Sequence, residues 1–156
     1  EFRRVLFRSY FTGASRSSAA IIDQQKKNTS SGNEKAIEAM HRIKRSAIDM
    51  KFALLKGDMQ EFARILGEGW EDKKKMADAI TNPMIQNVFD TAMSAGALAG
   101  KVSGAGGGGF VMLMVEPTRK KEVIDALNRL DGFVMPFQFT EGGAHGWRIY
   151  STDKVK

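Results

Sequence analysis

The sequence contains no cysteine and only three prolines among its 156 residues. Without cysteine, these residues cannot build a disulfide framework or a zinc site made of thiolates. No apolar run is long enough to span a membrane, and the first residues lack the compact apolar stretch of a signal peptide. The absence of thiols fits a reducing compartment, so we expect a cytoplasmic protein with no membrane partner.

The composition is typical of one globular domain, with 42% hydrophobic and 27% charged residues. The net charge is +6. The basic residues are spread along predicted helices and do not show the spacing of known nucleic-acid-binding modules. We therefore expect no nucleic-acid partner, because a phosphorylated small molecule suits the positive charge equally well.

The first nine residues show neither helical nor strand periodicity. Val5–Ser9 can be back-translated into the end of a common sequencing adapter, so we expect residues 1–9 to be foreign and the natural protein to extend further upstream. Their three arginines and one glutamate supply +2 of the net charge of +6. The alternative is a genuine basic strand or arm.

The first half of the chain has the periodicity of helices. Residues 10–12 predict the tail of a strand, residues 18–25 a short helix, and residues 26–33 an exposed loop. From Glu34 onward, apolar residues recur at spacings of four and three, which predicts a helix that ends at Lys56-Gly57. Asp58 caps a second helical stripe that continues to Ile80. Asn82-Pro83 then predicts a third helix, which ends near Gly96.

The second half contains the predicted strands. Phe110–Val115 is almost entirely apolar, which predicts a central strand covered on both faces. A helix from Pro117 to Leu130 follows, and then come two further strands at residues 133–139 and 147–150. Several helices followed by strand, helix, strand and strand predict an α+β fold with helices packed on a small sheet.

Glycine occupies five of the seven positions from Gly104 to Phe110. Because glycine is costly to order, such a cluster indicates that backbone must come close to a ligand or to another backbone. The order of residues is not that of a P-loop, since Lys101 and Ser103 precede the glycines, nor that of a dinucleotide-binding turn, since a strand follows them. A crowded hairpin and a concave loop of amides that faces an anion both remain open.

The run Lys101–Phe110 resembles the third, C-terminal motif of the GHMP kinases. Residues 10–18, 70–74, 80–83 and 142–148 are similar to the sugar-phosphate branch of that family, the D-glycero-D-manno-heptose 7-phosphate kinases. The resemblance covers essentially residues 10–150. It implies that residues 10–156 form the C-terminal domain, with a small antiparallel, ferredoxin-like sheet, and that the N-terminal ATP-binding domain is absent.

The resemblance also implies an activity for the intact protein, an ATP-dependent and Mg²⁺-assisted phosphoryl transfer to a hydroxyl of a heptose 7-phosphate or related sugar. In this family the catalytic acid, the phosphate loop and the Mg²⁺ ligands lie in the N-terminal domain. We therefore expect no catalytic or metal-binding residue here, and no activity from this chain alone. Sugar phosphate and ATP are the implied partners, and association into a homo-oligomer is left open. The candidate substrate- or nucleotide-binding residues are Arg16, Lys101, Ser103, Gly104, Ala105, Gly106, Gly107 and Gly108.

Several of these candidates have a second interpretation. Arg16 suits a sugar phosphate but equally a solvated loop. Ser103 has no His and Asp partners, so we expect it to hydrogen-bond the turn and not to act as a nucleophile. For Lys73 and Lys74 there are two interpretations: one of the two side chains faces the ligand cleft of the kinase, or both are solvated. The rival function is a non-catalytic α+β module that binds an anionic ligand or a protein through the glycine-rich loop.

Overall fold

Four antiparallel strands form one sheet in the order β2-β3-β1-β4 within the described residues, 6–14, 17–136 and 142–147, of the computed structural model. The strands are β1 (Leu6–Phe11), β2 (Ala97–Val102), β3 (Phe110–Val115) and β4 (Phe133–Pro136). The helices are α1 (Ser18–Ser30), α2 (Glu34–Lys56), α3 (Met59–Lys74), α4 (Pro83–Ser94) and α5 (Lys120–Leu127), with 3₁₀ turns at Asp78–Ile80 and Pro117–Arg119.

This strand order is that of a ferredoxin-like sheet. Because β3 is antiparallel to both β1 and β2, those two strands run parallel with β3 between them. In the same way β3 and β4 run parallel on either side of β1. The connections are two split β-α-β units, the first carrying α1–α4 and the second α5. The α+β prediction with a small antiparallel sheet is confirmed.

Both faces of β3 are covered by helices. Val111, Leu113 and Val115 point to one face and pack in a core with residues of α4 and α5. Met114 points to the other face, where it packs against residues of α3 and of β2. This alternation follows from the two-residue period of a strand. The predicted central strand is confirmed, although Phe110 at its start is 36% exposed.

The helix boundaries follow from local capping signals. Gly57 ends α2 in a left-handed conformation with φ 73°, which glycine adopts without steric cost. The carboxylate of Asp58 accepts a hydrogen bond from the Glu61 amide at 2.9 Å, and Asn82 caps α4 in the same way. These ends are therefore encoded by single residues, and their predictions are confirmed.

Three helical predictions need correction. Helix α1 extends to Ser30, and residues 26–30, which the sequence indicates as loop, continue it. Helix α3 ends at Lys74, so the buried Ile80 lies in a separate 3₁₀ turn. The segment after Pro117 begins as a 3₁₀ turn, and α5 runs only from Lys120 to Leu127.

Strand β2 was not expected, because Ala97–Val102 followed a predicted helix end and contains few β-forming residues. Strand β4 covers Phe133–Pro136 of the predicted second strand, whose remaining residues, 137–139, lie outside the described part. Trp147 is not in a strand, and residues 148–150 of that prediction also lie outside the described part.

Strand β1 begins at Leu6 and not at Tyr10. Residues 6–9 pair with β3, and residues 8 and 9 also pair with β4. Because strand pairing uses backbone groups, these residues can complete the strand whatever their origin. The foreign origin of residues 1–9 stays a prediction.

Exposed apolar side chains include a group on α2 and a pair on the sheet. On α2, Ile48, Phe52 and Leu55 are 53%, 53% and 72% exposed. On the sheet, the rings of Phe110 and Phe133 each lie beside Phe11, with centroid distances of 5.1 and 5.4 Å. Among the described residues, no helix is long and apolar enough to cross a membrane.

Candidate ligand site at the glycine loop

The glycine loop, Ser103–Gly109, joins β2 to β3. The Ser103 amide donates a hydrogen bond to the Phe110 carbonyl at 2.7 Å and closes the hairpin. All five glycines of the loop have positive φ, between 76° and 154°. L-residues with side chains rarely adopt such angles, so the backbone path itself requires glycine at these positions.

One side of the loop is clamped to the start of α4. A Cβ on Gly106 would lie 2.8 Å from the Ile80 carbonyl oxygen. The Gly107 amide donates to that same oxygen at 2.8 Å, and the Asn82 side-chain amide donates to the Gly107 carbonyl at 3.2 Å. This part of the loop therefore approaches another backbone, as the crowded-hairpin interpretation predicts.

The other side of the loop is held by the segment after β1. The Gly109 amide donates to the Ala14 carbonyl at 2.7 Å, and the Thr12 amide donates to the Gly109 carbonyl at 2.9 Å. The Thr12 hydroxyl also donates to Ala14, at 3.1 Å. The loop is thus fixed between two segments that are distant in sequence.

The lip of the loop, Ser103–Ala105, is the open part. Ser103 and Gly104 are exposed, and no atom lies within 4 Å of the position that a Cβ on Gly104 would take. Among the described residues, the amides of Ala105 and of the buried Gly108 donate to no acceptor. Unpaired amides on a fixed concave backbone are suited to bind an anion. The loop therefore has a base that packs on other backbone and an open lip, and anion binding at the lip stays a prediction.

Two lysines lie beside the lip. Lys73, at the end of α3, is half-buried, and its ammonium donates to the Gly104 carbonyl. Burial lowers the pKa of Lys73, and the positive charge of Lys101 on β2 lowers it further. The neighbouring Lys74 points elsewhere, with its ammonium 5.9 Å from the centre of the Trp70 ring. Of the pair that the sequence singled out, Lys73 is the one beside the loop.

Lys73 and Lys101 line a cavity of about 190 Å³. We name it the α2–α3 cavity, because its other walls come from those two helices. Its remaining lining residues are Ile43, Ser46, Ala47, Met50, Ile65, Leu66, Gly69 and Trp70. The cavity is thus lined mainly by uncharged, mostly apolar residues together with the two lysines.

The structure brings most of the predicted site residues together. Lys101 lies on β2, Ser103 and Gly104–Gly108 belong to the loop that follows it, and Arg16 lies outside the described residues. The backbone amide of Ser103 hydrogen-bonds the turn, as predicted. Ligand binding by these residues stays a prediction.

Sequence reasoning missed the clamp at the base of the loop. In the sequence, Asn82-Pro83 predicts a helix start and residues 80–83 are similar to the family, but neither observation indicates that the glycines rest on this segment. Asn82 followed by Pro83 is the signal for the cap, and nothing local indicates that the Asn82 amide also reaches Gly107, 25 residues away. The adjacent Thr81 hydroxyl oxygen is buried without a hydrogen-bond partner in the described part of the chain.

Metal binding is not indicated by these side chains. Across residues 6–14, 17–136 and 142–147, no three His, Asp or Glu side chains lie close enough together to hold a metal ion. We therefore derive no step of a reaction through Mg²⁺ at this site.

Residues 50–131, which include the clamp and the glycine loop, match the family described as GHMP kinases C terminal. The chain belongs to this family. It is 43% identical over 149 residues to a D-glycero-alpha-D-manno-heptose 7-phosphate kinase of Campylobacter jejuni, and the match covers 96% of this chain and 42% of that protein.

Solved structures support the same fold. A putative sugar kinase from Campylobacter jejuni is 35% identical, with a TM-score of 0.59 over 92% of this chain and 36% of that one. Mevalonate kinase of L. major is 18% identical, with a TM-score of 0.72 over 80% of this chain and 38% of that one. The chain therefore spans less than half the length of these relatives.

Proposed function

We propose that this chain is the C-terminal part of an ATP-dependent sugar-phosphate kinase whose acceptor is a heptose 7-phosphate or a related sugar. The observation that carries the proposal is the 43% identity to a heptose 7-phosphate kinase across 96% of the chain. The glycine loop supports it, because a clamped loop of amides is a rigid wall for a phosphorylated ligand. We expect the intact protein in the cytoplasm.

Phosphoryl transfer relies mainly on positioning and on neutralisation of charge. The residues here suit the first role. The base of the loop, Gly106–Gly108, fixes the backbone, and the lip together with Lys101 faces the ligand. Arg16, which lies outside the described residues, stays a sequence-based candidate for a phosphate contact in this proposal. Mg²⁺, held by ATP and another part of the protein, would neutralise charge on the transferred group.

The exposed apolar residues also support a larger protein. A domain separated from its partner exposes the apolar surface on which the partner packs. Phe110, which directly follows the glycine loop, is 36% exposed, and Phe133 on the same side of the sheet is 48% exposed. A second domain on this side would enclose the loop in a cleft.

Two measurements test the proposal. The first is ATP turnover by the chain alone with a heptose phosphate, for which we expect no activity above background. Measurable turnover would contradict the proposal that the catalytic residues lie in another part of the protein. The second is the genomic sequence upstream of Tyr10. A glycine- and serine-rich phosphate loop encoded there supports the kinase, whereas a natural start codon near Tyr10 supports the non-catalytic module.

A further inference from the structure

The α2–α3 cavity has an unusual charge distribution. Of its ten lining residues, Lys73 and Lys101 are the only charged ones. Helix α2 contributes only uncharged side chains to it, from Ile43, Ser46, Ala47 and Met50. The side chains of two lysines therefore line one small space whose lining residues include no carboxylate.

The nearest acidic side chain on α3 is already paired. The carboxylate of Asp72, next to Lys73 in sequence, is buried and hydrogen-bonds Arg42 at 2.9 Å and Lys75 at 2.8 Å. It lies outside the cavity lining. Lys73 and Lys101 therefore have no counter-ion from the helices that surround them in the described part of the chain.

Most hydrogen-bond donors of the two lysines are unused. Each ammonium has three N–H donors. Lys73 uses one on the Gly104 carbonyl, and Lys101 has no hydrogen-bond acceptor among the described residues. Two like charges held together in a half-buried place cost free energy, and such arrangements concentrate at sites that bind a ligand of the opposite charge.

We propose that the α2–α3 cavity is a phosphate-binding subsite in which Lys73 and Lys101 together bind one phosphomonoester group at the lip of the glycine loop. A phosphomonoester carries a charge of about −2 near neutral pH, which the two ammonium groups balance. The cavity, about 190 Å³, is smaller than the ~300–1,000 Å³ of typical small-molecule sites. It is therefore large enough for one phosphate with a few attached carbons and too small to enclose a whole nucleotide.

This inference rests on the proposed function only where it names the molecule that carries the phosphate group. We assign it to the phosphate already present on the sugar acceptor, because a sugar phosphate matches the small size of the cavity better than a nucleotide does. The apolar lining residues then pack against the carbon chain beside the ester oxygen. Lys73 in addition holds the Gly104 carbonyl, so the bound phosphate and the lip of the loop share one cation.

The binding test is calorimetric titration of the chain with inorganic phosphate at fixed ionic strength. Lys73→Met and Lys101→Met should each weaken phosphate binding about tenfold or more, since each removes charge-assisted hydrogen bonds. Lys74→Met is the matched control, because it removes the same charge one residue away, from a lysine that does not line the cavity and whose ammonium pairs with Glu71 at 2.6 Å. It should bind phosphate within about twofold of the unchanged chain.

Circular dichroism and thermal melting establish that each variant is folded. Equal affinities for all four proteins, or no phosphate binding by the unchanged chain, would overturn the subsite. If one lysine variant fails to fold, the other still decides the question.

The pH dependence gives a second readout. The pKa of Lys73 is lowered by burial and then by the charge of Lys101, so phosphate affinity should fall at a lower pH than for an ordinary lysine. The arginine in Lys73→Arg keeps its charge over the whole pH range, so this loss of phosphate affinity should move to higher pH. An unchanged profile in Lys73→Arg would contradict direct contact between Lys73 and phosphate.

Titrations with heptose 7-phosphate and with ATP show which of these two ligands places its phosphate in the cavity. The sugar phosphate should bind more tightly than inorganic phosphate and lose affinity in Lys73→Met, whereas ATP should not depend on Lys73. A dependence of ATP alone on Lys73 would overturn the assignment to the sugar. These titrations need no catalysis, so loss of the subsite and loss of the proposed kinase function are separate results.

Discussion

Gly106 lies against Ile80 so closely that a Cβ on Gly106 would sit 2.8 Å from the Ile80 carbonyl oxygen and 2.9 Å from its Cα. Both atoms belong to the backbone and cannot rotate away. The φ of Gly106 is 116°, which also disfavours any side chain. The base of the glycine loop is thus defined by the contact of two backbones, whereas Gly104 at the lip has open space around it.

Gly106→Ala should therefore destabilise the domain by about 2 to 4 kcal/mol, from backbone strain and from displacement of the Ile80 segment. Gly104→Ala is the matched control, since its φ of 77° carries strain without a clash and should cost only about 1 kcal/mol. Urea denaturation followed by circular dichroism measures both free energies of unfolding. Equal costs would show that contact with Ile80 does not constrain the loop.

Asn82 joins the start of α4 to the glycine loop. Its side-chain oxygen accepts from the Ile85 amide at 2.9 Å, and its side-chain amide donates to the Gly107 carbonyl at 3.2 Å. Asn82→Asp keeps the cap but loses the donor to Gly107, so it should cost about 1 to 3 kcal/mol.

Asn33 provides the control for this change. It caps α2 in the same way, by accepting from the Ala36 amide at 3.1 Å, and its side chain has no donor contact to a loop in the described part of the chain. Asn33→Asp should therefore leave the free energy of unfolding nearly unchanged. A cost at Asn33 as large as that at Asn82 would argue against the tie to Gly107.

Tyr10 connects β1 to the turn before β4 through a hydrogen bond. Its buried hydroxyl accepts from the Gly132 amide at 2.7 Å. Tyr10→Phe leaves that amide without its acceptor and should cost about 1 to 3 kcal/mol in chemical denaturation at pH 7.

The pH dependence of this contact has a defined sign. Burial raises the pKa of Tyr10 above its usual value of 10.0, so the folded state holds the proton longer than the unfolded state does. The contribution of the protonated Tyr10 hydroxyl to the free energy of unfolding is therefore complete below pH 10 and is lost as the pH rises through the folded-state pKa. Tyr10→Phe should lack this alkaline component, and an identical alkaline slope in both proteins would contradict the assignment.

Asp72 connects α3 to α2 through Arg42 and also binds Lys75. Burial by itself would raise the pKa of Asp72, but the hydrogen bonds from Lys75 and Arg42 outweigh it, and the pKa is lowered. The stabilising contribution is therefore present above about pH 4 and is lost as the pH falls through the folded-state pKa.

Asp72→Asn should remove this acid-dependent component and cost about 1 to 3 kcal/mol at pH 7. Asp125→Asn on α5 is the control, because the pair of Asp125 with Lys121 is half-exposed or more on both sides and should change stability far less. Thermal melting between pH 3 and pH 7 compares them. Parallel stability curves for Asp72→Asn and the unchanged protein would contradict the role given to this carboxylate.

The parts of the fold that the sequence predicts are those encoded locally. Gly57 with Asp58, and Asn82 with Pro83, mark helix ends through capping that involves only neighbouring residues. The apolar run Phe110–Val115 identifies the central strand because a strand buried on both faces has no polar positions.

Strand β2 could not be predicted, because its composition is determined by contacts with residues that are distant in sequence. A Cβ on Gly100 would lie 2.8 Å from the Met112 carbonyl oxygen and from the Leu113 side chain. Close approach of β3 therefore requires glycine where strand propensity would favour a branched residue. Similarly, the polar end of α1 is held by Asn28, whose side chain donates to the Met76 carbonyl 48 residues away at 2.8 Å.

The site was predicted as a set of residues but not as a geometry. The density of glycine identified the loop and Lys101 identified its basic edge. Which glycines contact backbone and which face open space depends on the position of Ile80, and the pairing of Lys73 with Lys101 depends on how α3 packs on β2. Neither relationship leaves a periodic or local signal.

We propose above that this chain supplies the C-terminal part of a heptose-phosphate kinase. The most direct measurement is ATP-dependent phosphorylation of heptose 7-phosphate by a chimera in which residues 10–156 replace the matching region of the Campylobacter jejuni relative. We expect turnover by the chimera, none by the chain alone, and a reduced rate when the chimera carries Gly106→Ala. A folded chimera that binds ATP but does not phosphorylate the sugar would contradict the proposal.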